Sequence, residues 1–129
     1  MLHLELYGMP NAAILTELGW ANSDAIGTYW HLETPFTLEI LRGPLAVGGE
    51  TLRSWDTHRK GELVLHVISP TDSVKDRLAS AIHFKDPSAA RQAAEVAKLH
   101  QIDFLAVKEW CKNEGGQVTY AVFERLLES

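Results

Sequence analysis

Cysteine is almost absent from this sequence, and so are several signals that would indicate specific classes of protein. Cys111 is the single cysteine, so no disulfide can form within the chain, and a reducing compartment such as the cytoplasm is expected. The first basic residue is Arg42, so we expect no secretory signal with a basic first segment. Charges interrupt every apolar run well short of the length of a membrane-spanning helix, so we expect no membrane partner.

Basic residues are also in the minority. Lys and Arg number 12 against 17 Asp and Glu, which gives a formal charge of −5. An acidic chain has no overall field that attracts nucleic acid, so direct nucleic-acid binding is not expected. Hydrophobic residues make up 46% of the 129 residues and charged residues 22%, which are the proportions of a folded domain. This length and composition predict a single domain over residues 1–129.

Sequence patterns for metal binding or nucleophilic catalysis are missing as well. The six histidines and Cys111 are scattered and show no ligand spacing, which predicts no metal and no cofactor. Ser54, Asp56 and His58 alternate along one predicted strand, where they are too far apart to form a hydrolytic triad.

The N-terminal part of the chain has the patterns of strands. Residues 1–7 alternate apolar and polar, and a short helix follows that starts at Asn11, turns Ile14, Leu15 and Leu18 inward and ends at Gly19. Residues 28–41 predict a hairpin with a three-residue turn over 33–35, which pairs Trp30 with Leu38 and Leu32 with Phe36. The predicted register places four side chains together on the opposite face: Tyr29, His31, Thr37 and Glu39.

A second hairpin is predicted over residues 51–68, and its last strand, from Leu63 to Ile68, is almost continuously apolar. Such a run is typical of a central strand covered on both faces. The rest of the chain has a helical period, with helices starting after Ser69, Asp86 and Asp103 and a fourth over about 118–127. The whole order predicts an α+β fold, in which a small antiparallel or mixed sheet of two hairpins and an N-terminal strand packs with a helical C-terminal half.

Several segments carry a resemblance to a known family. Residues 68–80 read Ile-Ser-Pro-Thr-Asp-Ser-Val-Lys-Asp-Arg-Leu-Ala-Ser, and the segments 84–86, 94–98 and 109–115 follow them. Upstream lie Tyr-Trp-His at 29–31, Phe-Thr-Leu-Glu-Ile at 36–40 and Gly-Pro-Leu-Ala-Val-Gly at 43–48. From about residue 18 to 116 the chain resembles the C-terminal part of small bacterial nucleotidyltransferase-like proteins related to toxin-antitoxin systems.

The resemblance implies a shortened and inactive member of that family. Active members carry a Gly-Ser turn and an Asp-x-Asp pair, which with a third carboxylate hold two metal ions. This chain contains neither motif, and Glu39 stands at the position of the third carboxylate. Glu39 is then either the relic of an active site, together with Tyr29, His31 and Thr37, or an ordinary exposed strand residue.

Four residues at the start of the first long helix also belong to the quoted motif, namely Ser69, Asp72, Asp76 and Arg77. A capping box and surface charges explain them as structural, and a functional signature is the alternative.

The loss of the catalytic motif and the acidic charge together favour a non-catalytic protein-binding module. We expect an antitoxin or an inhibitor of a defence system of the kind that mobile elements encode, with a partner protein that presents a basic surface. Two alternatives stay open. One is a nucleotidyltransferase subunit that needs a partner chain and magnesium, and the other is a structural homo-oligomer.

Overall fold

A computed structural model describes residues 3–7, 12–23, 27–41 and 45–129. Backbone contacts divide the chain into two compact units, Met1–Leu45 and Ala46–Ser129. The α+β class is confirmed, whereas the single domain stays a prediction. Among the described residues, no helix combines the length and apolar composition that crossing a membrane requires.

In the described residues of the first unit, the structure has a four-stranded sheet and one short helix. Its elements are β1 (His3–Tyr7), α1 (Ala12–Glu17), β2 (Trp20–Asn22), β3 (Thr28–His31) and β4 (Thr34–Leu41). The strand order is β1-β4-β3-β2, with β1 parallel to β4 and the other pairs antiparallel. The predicted first strand and the first hairpin therefore share one sheet.

Helix α1 buries less than its sequence predicts. Leu15 is 6% exposed, whereas Ile14 and Leu18 are 52% and 62% exposed, so the expectation that all three face inward is wrong for two of them. A helix of six residues has fewer than two turns, and among its described side chains only Leu15 is buried. Gly19 follows the helix with a φ of +91°, the left-handed conformation expected of a terminating glycine. The predicted start, Asn11, lies outside the described residues.

The register of the β3–β4 hairpin differs from the predicted one. Tyr29 lies opposite Leu38 and His31 opposite Thr34, with a bulge between these two pairs. The turn consists of Leu32 and Glu33, and Leu32 is 88% exposed and unpaired with Phe36. Pro35 explains the difference, because it has no backbone N–H for a regular ladder and falls within the irregular part of β4.

The second unit begins with two separate hairpins and ends with four helices. The hairpins are β5 (Ala46–Val47) with β6 (Glu50–Thr51), and β7 (Asp56–Lys60) with β8 (Leu63–Val67). The helices are α2 (Pro70–His83), α3 (Pro87–Leu99), α4 (Phe104–Asn113) and α5 (Gln117–Leu127). The two predicted hairpins do not share a sheet among the described residues.

The helix starts are confirmed by their capping contacts. The side chains of Ser69, Asp86 and Asp103 accept hydrogen bonds from backbone N–H groups in the first turns of α2, α3 and α4. The backbone N–H of Asp103 also donates to Thr71 Oγ1 at 3.1 Å, which links the start of α4 to the first turn of α2. These three helix starts are therefore specified by side chains next to them in the sequence.

The core of this unit lies between the helices. Helix α3 contributes a row of small buried residues: Ala89, Ala90, Ala93, Ala94 and Ala97. Small side chains allow helix backbones to approach closely, and α2 contributes Val74 and Leu78 to the same core. Phe123 of α5 is fully buried there.

Strand β8 is the largest departure from the sequence prediction. Every residue of β7 and β8 is exposed, and Leu63, Val64, Leu65 and Val67 are exposed by 73, 46, 54 and 38%. The prediction of a central strand covered on both faces is therefore wrong. Two strands form this sheet, and no element of the unit covers either face.

Replacing Phe123 with alanine tests the helical core. Because Phe123 is fully buried, we expect the free energy of unfolding to fall by about 3 to 5 kcal/mol. Val118→Ala, at a position 79% exposed on the same helix, should change it by less than about 0.5 kcal/mol. Urea unfolding followed by helical circular dichroism measures both, and equal effects of the two substitutions would contradict this assignment of the core.

Candidate functional site

The four residues predicted to share a face of the first hairpin are divided between its two faces. Tyr29 lies opposite Leu38, so it shares a face with that buried residue, and His31 falls on the same face. Glu39 lies opposite Thr28 on the other face, with Thr37 two residues before it. The predicted grouping is wrong because the hairpin turn is one residue shorter than predicted and β4 contains a bulge.

His31 has a structural role in this unit. Its Nδ1 accepts a hydrogen bond from the backbone N–H of Glu33 at 3.0 Å, and its Nε2 lies 2.8 Å from the carbonyl oxygen of Leu18. These contacts correspond to a neutral imidazole that donates from Nε2. Both ring nitrogens are therefore engaged, one at the hairpin turn and one after α1.

The residues at the start of α2 also serve the fold. Ser69 Oγ accepts from the backbone N–H of Asp72 at 3.1 Å, which is the capping contact. Arg77 donates to Asp76 Oδ2 from Nη2 at 2.6 Å and from Nε at 3.1 Å, and it reaches Gln92 Oε1 on α3 at 3.4 Å. The structure thus gives Ser69, Asp76 and Arg77 contacts that begin α2 or join it to α3.

A cleft of about 440 Å³ in the second unit was not predicted as a site. Polar groups from separate elements line it, including Gly49 in the β5–β6 turn, His83 at the end of α2 and Glu114 after α4. Glu114 Oε1 accepts from the backbone N–H of Gly49 at 2.8 Å, and Glu114 Oε2 lies 2.8 Å from His83 Nε2. The carboxylate therefore connects three segments.

The environment of Glu114 stabilises its charged form. The hydrogen bond from Gly49 N–H and the adjacent His83 imidazole lower the pKa of Glu114 below its ordinary value, while desolvation acts in the opposite direction. Its side chain is 16% exposed. Nothing in the local sequence indicates this contact, because Gly49 and Glu114 are 65 residues apart.

The contacts in the cleft do not form a catalytic triad. A hydrolytic site would need Ser80 Oγ bonded to the His83 imidazole, with Glu114 orienting the ring. The hydrogen bonds of the described residues include no such contact between Ser80 and His83. In the same part of the chain, no three His, Cys, Asp or Glu side chains are grouped so that they could hold a metal ion.

The hairpin β7–β8 presents an exposed apolar surface in the second unit, where single apolar side chains on the helices, such as Leu99 and Val118, are exposed as well. Besides the β8 residues, Trp55 immediately before β7 is 52% exposed, and its ring lies 5.5 Å from that of His66. By contrast, Trp110 is only 5% exposed and belongs to the core. A row of exposed apolar side chains on a strand is typical of a surface that another protein covers.

Comparison of the chain with family models, curated proteins and solved structures gives no match. The resemblance to nucleotidyltransferase-like proteins therefore stays a prediction based on the quoted motifs.

Chemical labelling tests the state of Cys111. The thiol is buried, and desolvation, with the Glu114 carboxylate adding to it, raises its pKa to about 11. We therefore expect the folded protein to react with a disulfide reagent at pH 8 about 100-fold more slowly than the urea-unfolded chain. Equal rates in the two states would show an accessible thiolate and contradict this environment.

Glu114→Gln tests the connection between the three segments. Glutamine retains an acceptor for Gly49 but removes the charge, so we expect a loss of about 1 kcal/mol in unfolding free energy at pH 7. Because the folded state lowers the pKa of Glu114 below 4.5, its stabilising effect is complete above that value and disappears as the pH falls through the folded pKa. The unfolding free energies of the wild type and the variant, plotted against pH, should therefore converge in acid.

The matched control for this measurement is Glu109→Gln, at an exposed position on α4. Urea unfolding at several pH values should show a difference in unfolding free energy between Glu109→Gln and the wild type that does not change with pH. An offset for Glu114→Gln that stayed constant down to pH 3 would be inconsistent with a charge-dependent contact.

Proposed function

We propose that this chain is a non-catalytic protein-binding module, and that the β7–β8 hairpin is its binding surface. The exposed apolar row of β8 is the observation that carries the proposal. Burying apolar surface contributes about 25 cal/mol per Å², and two strands with uncovered faces are only marginally stable alone. A partner that covered the hairpin would stabilise it and gain binding energy.

The physiological role that fits this surface best is that of an antitoxin or an inhibitor of a defence system. The missing Gly-Ser and Asp-x-Asp motifs support a binding role over a catalytic one. The formal charge of −5 favours a partner with a basic surface, since opposite fields accelerate encounter. The cytoplasm is the proposed compartment, since the single cysteine requires no oxidising environment.

A Leu65→Asp variant provides the test. The substitution places a charge in the middle of β8 at a side chain that is 54% exposed, so it should leave the helical core folded. We expect the tagged wild-type chain to retain a near-stoichiometric partner from lysate of its native host, and Leu65→Asp to lose at least about 90% of it. Mass spectrometry identifies and quantifies the retained protein.

Val118→Asp is the matched control, because it introduces the same charge at an exposed apolar position on α5. It should retain the partner at the wild-type level. A partner that bound all three proteins equally, or that was lost only with Val118→Asp, would place binding elsewhere and overturn the assignment to the hairpin. The absence of any retained protein would count against the binding function itself.

A further inference from the structure

The two faces of the β7–β8 hairpin differ in chemistry. On one face Leu63, Leu65 and Val67 lie opposite Lys60, His58 and Asp56, respectively, and this set of six is called the apolar hairpin face. On the other face Thr57 Oγ1 lies 3.1 Å from His66 Nδ1, and the Trp55 ring contacts His66. The second face also carries Val64 opposite Arg59, so it mixes a polar pair with single apolar side chains, whereas the first presents three apolar side chains in a row along β8.

The charges on the apolar hairpin face are arranged with opposite signs at its two ends. Asp56 lies at one end of β7, opposite Val67, and Lys60 lies at the other end, opposite Leu63. At a rise of about 3.3 Å per residue the two Cα atoms are about 13 Å apart, too far for an ion pair within one strand. His58 and Leu65 form the central pair.

This arrangement is complementary to itself. A two-fold axis that crosses both strands at the His58–Leu65 pair would stack two such faces with their strands antiparallel. Leu65 would then face Leu65 of the second copy, and Leu63 would face the second Val67. At both ends Asp56 would lie next to Lys60 of the second copy, so apolar groups would meet apolar groups and each charge would meet its opposite.

We infer that a second copy of this chain occupies the apolar hairpin face. The inference rests on the proposed function in taking the hairpin as a protein-binding surface, and it names the occupant. The face is small, about 17 Å along the strands and two strands wide, so it provides less than the roughly 800 Å² per partner of a standard interface. The dimer is therefore expected to be weak and to dissociate on dilution.

A charge exchange between positions 56 and 60 tests this pairing. In an Asp56→Lys variant two lysines would meet at each end of the interface, and in Lys60→Asp two aspartates would meet. The double variant Asp56→Lys/Lys60→Asp restores opposite charges across the interface. Since the two positions are too distant to interact within one hairpin, restored association in the double variant reports a contact between copies.

Sedimentation equilibrium of the full-length proteins, from micromolar to about millimolar concentration, provides the measurement. We expect the wild type to dimerise reversibly. The dissociation constant should rise about tenfold in each single variant and return to within about threefold of the wild-type value in the double variant. Leu65→Asp should be monomeric throughout, and Val118→Asp should behave as the wild type.

Three results would overturn the inference. These are a wild-type chain that stays monomeric over the whole range, a dimer that Leu65→Asp leaves intact, and a double variant that associates no better than the single ones. Circular dichroism of each variant verifies that the helices are folded. A monomeric wild type that still captured a heterologous partner through Leu65 would refute the second copy while leaving the proposed function standing.

Discussion

The close packing of α2 and α3 over small side chains is the constraint on which the second unit depends. The alanine row of α3 allows the two helices to approach, and Val74, Leu78 and Phe123 then complete one core. The β5–β6 hairpin contributes Val47 to that core, whereas none of the buried residues in the cluster belongs to β7 or β8. The helical core therefore contains no buried residue of the β7–β8 hairpin, and the apolar side chains of β8 stay on the surface.

The parts of the fold that the sequence could predict are those specified by neighbouring residues. Ser69, Asp86 and Asp103 identify three helix starts because the capping contact joins residues two or three positions apart. The register of the first hairpin could not be obtained this way. It depends on where Pro35 breaks the ladder, and a difference of one residue in the turn reassigns Tyr29 and Glu39 to opposite faces.

The sequence does not predict the cleft around Glu114 or the exposed surface of β8, for two different physical reasons. The contact of Glu114 with Gly49 joins residues 65 positions apart, and no local pattern reports such a pair. The apolar run of β8 is visible in the sequence, but a strand covered by its own chain and a strand covered by another molecule have the same composition. Burial had to be observed before the two could be distinguished.

A second copy and a heterologous target would compete for the same face if both bind the hairpin. The free concentration of this chain would then set how much target it holds, because each dimer withholds two binding surfaces. A weak dimer suits such a role better than a strong one, since the target needs only modest affinity to displace the second copy.

The uncovered strand β8 also has a consequence for the colloidal behaviour of the protein. Sheet β7–β8 has two outer edges, and the edge formed by β7 carries Asp56, Arg59 and Lys60, charges that discourage further strands from adding. The edge formed by β8 carries Leu, Val, Leu, His and Val and has no such gatekeeper. Aggregation at high expression would therefore begin along β8, and a bound protein that covers it would act as a solubility factor for this chain.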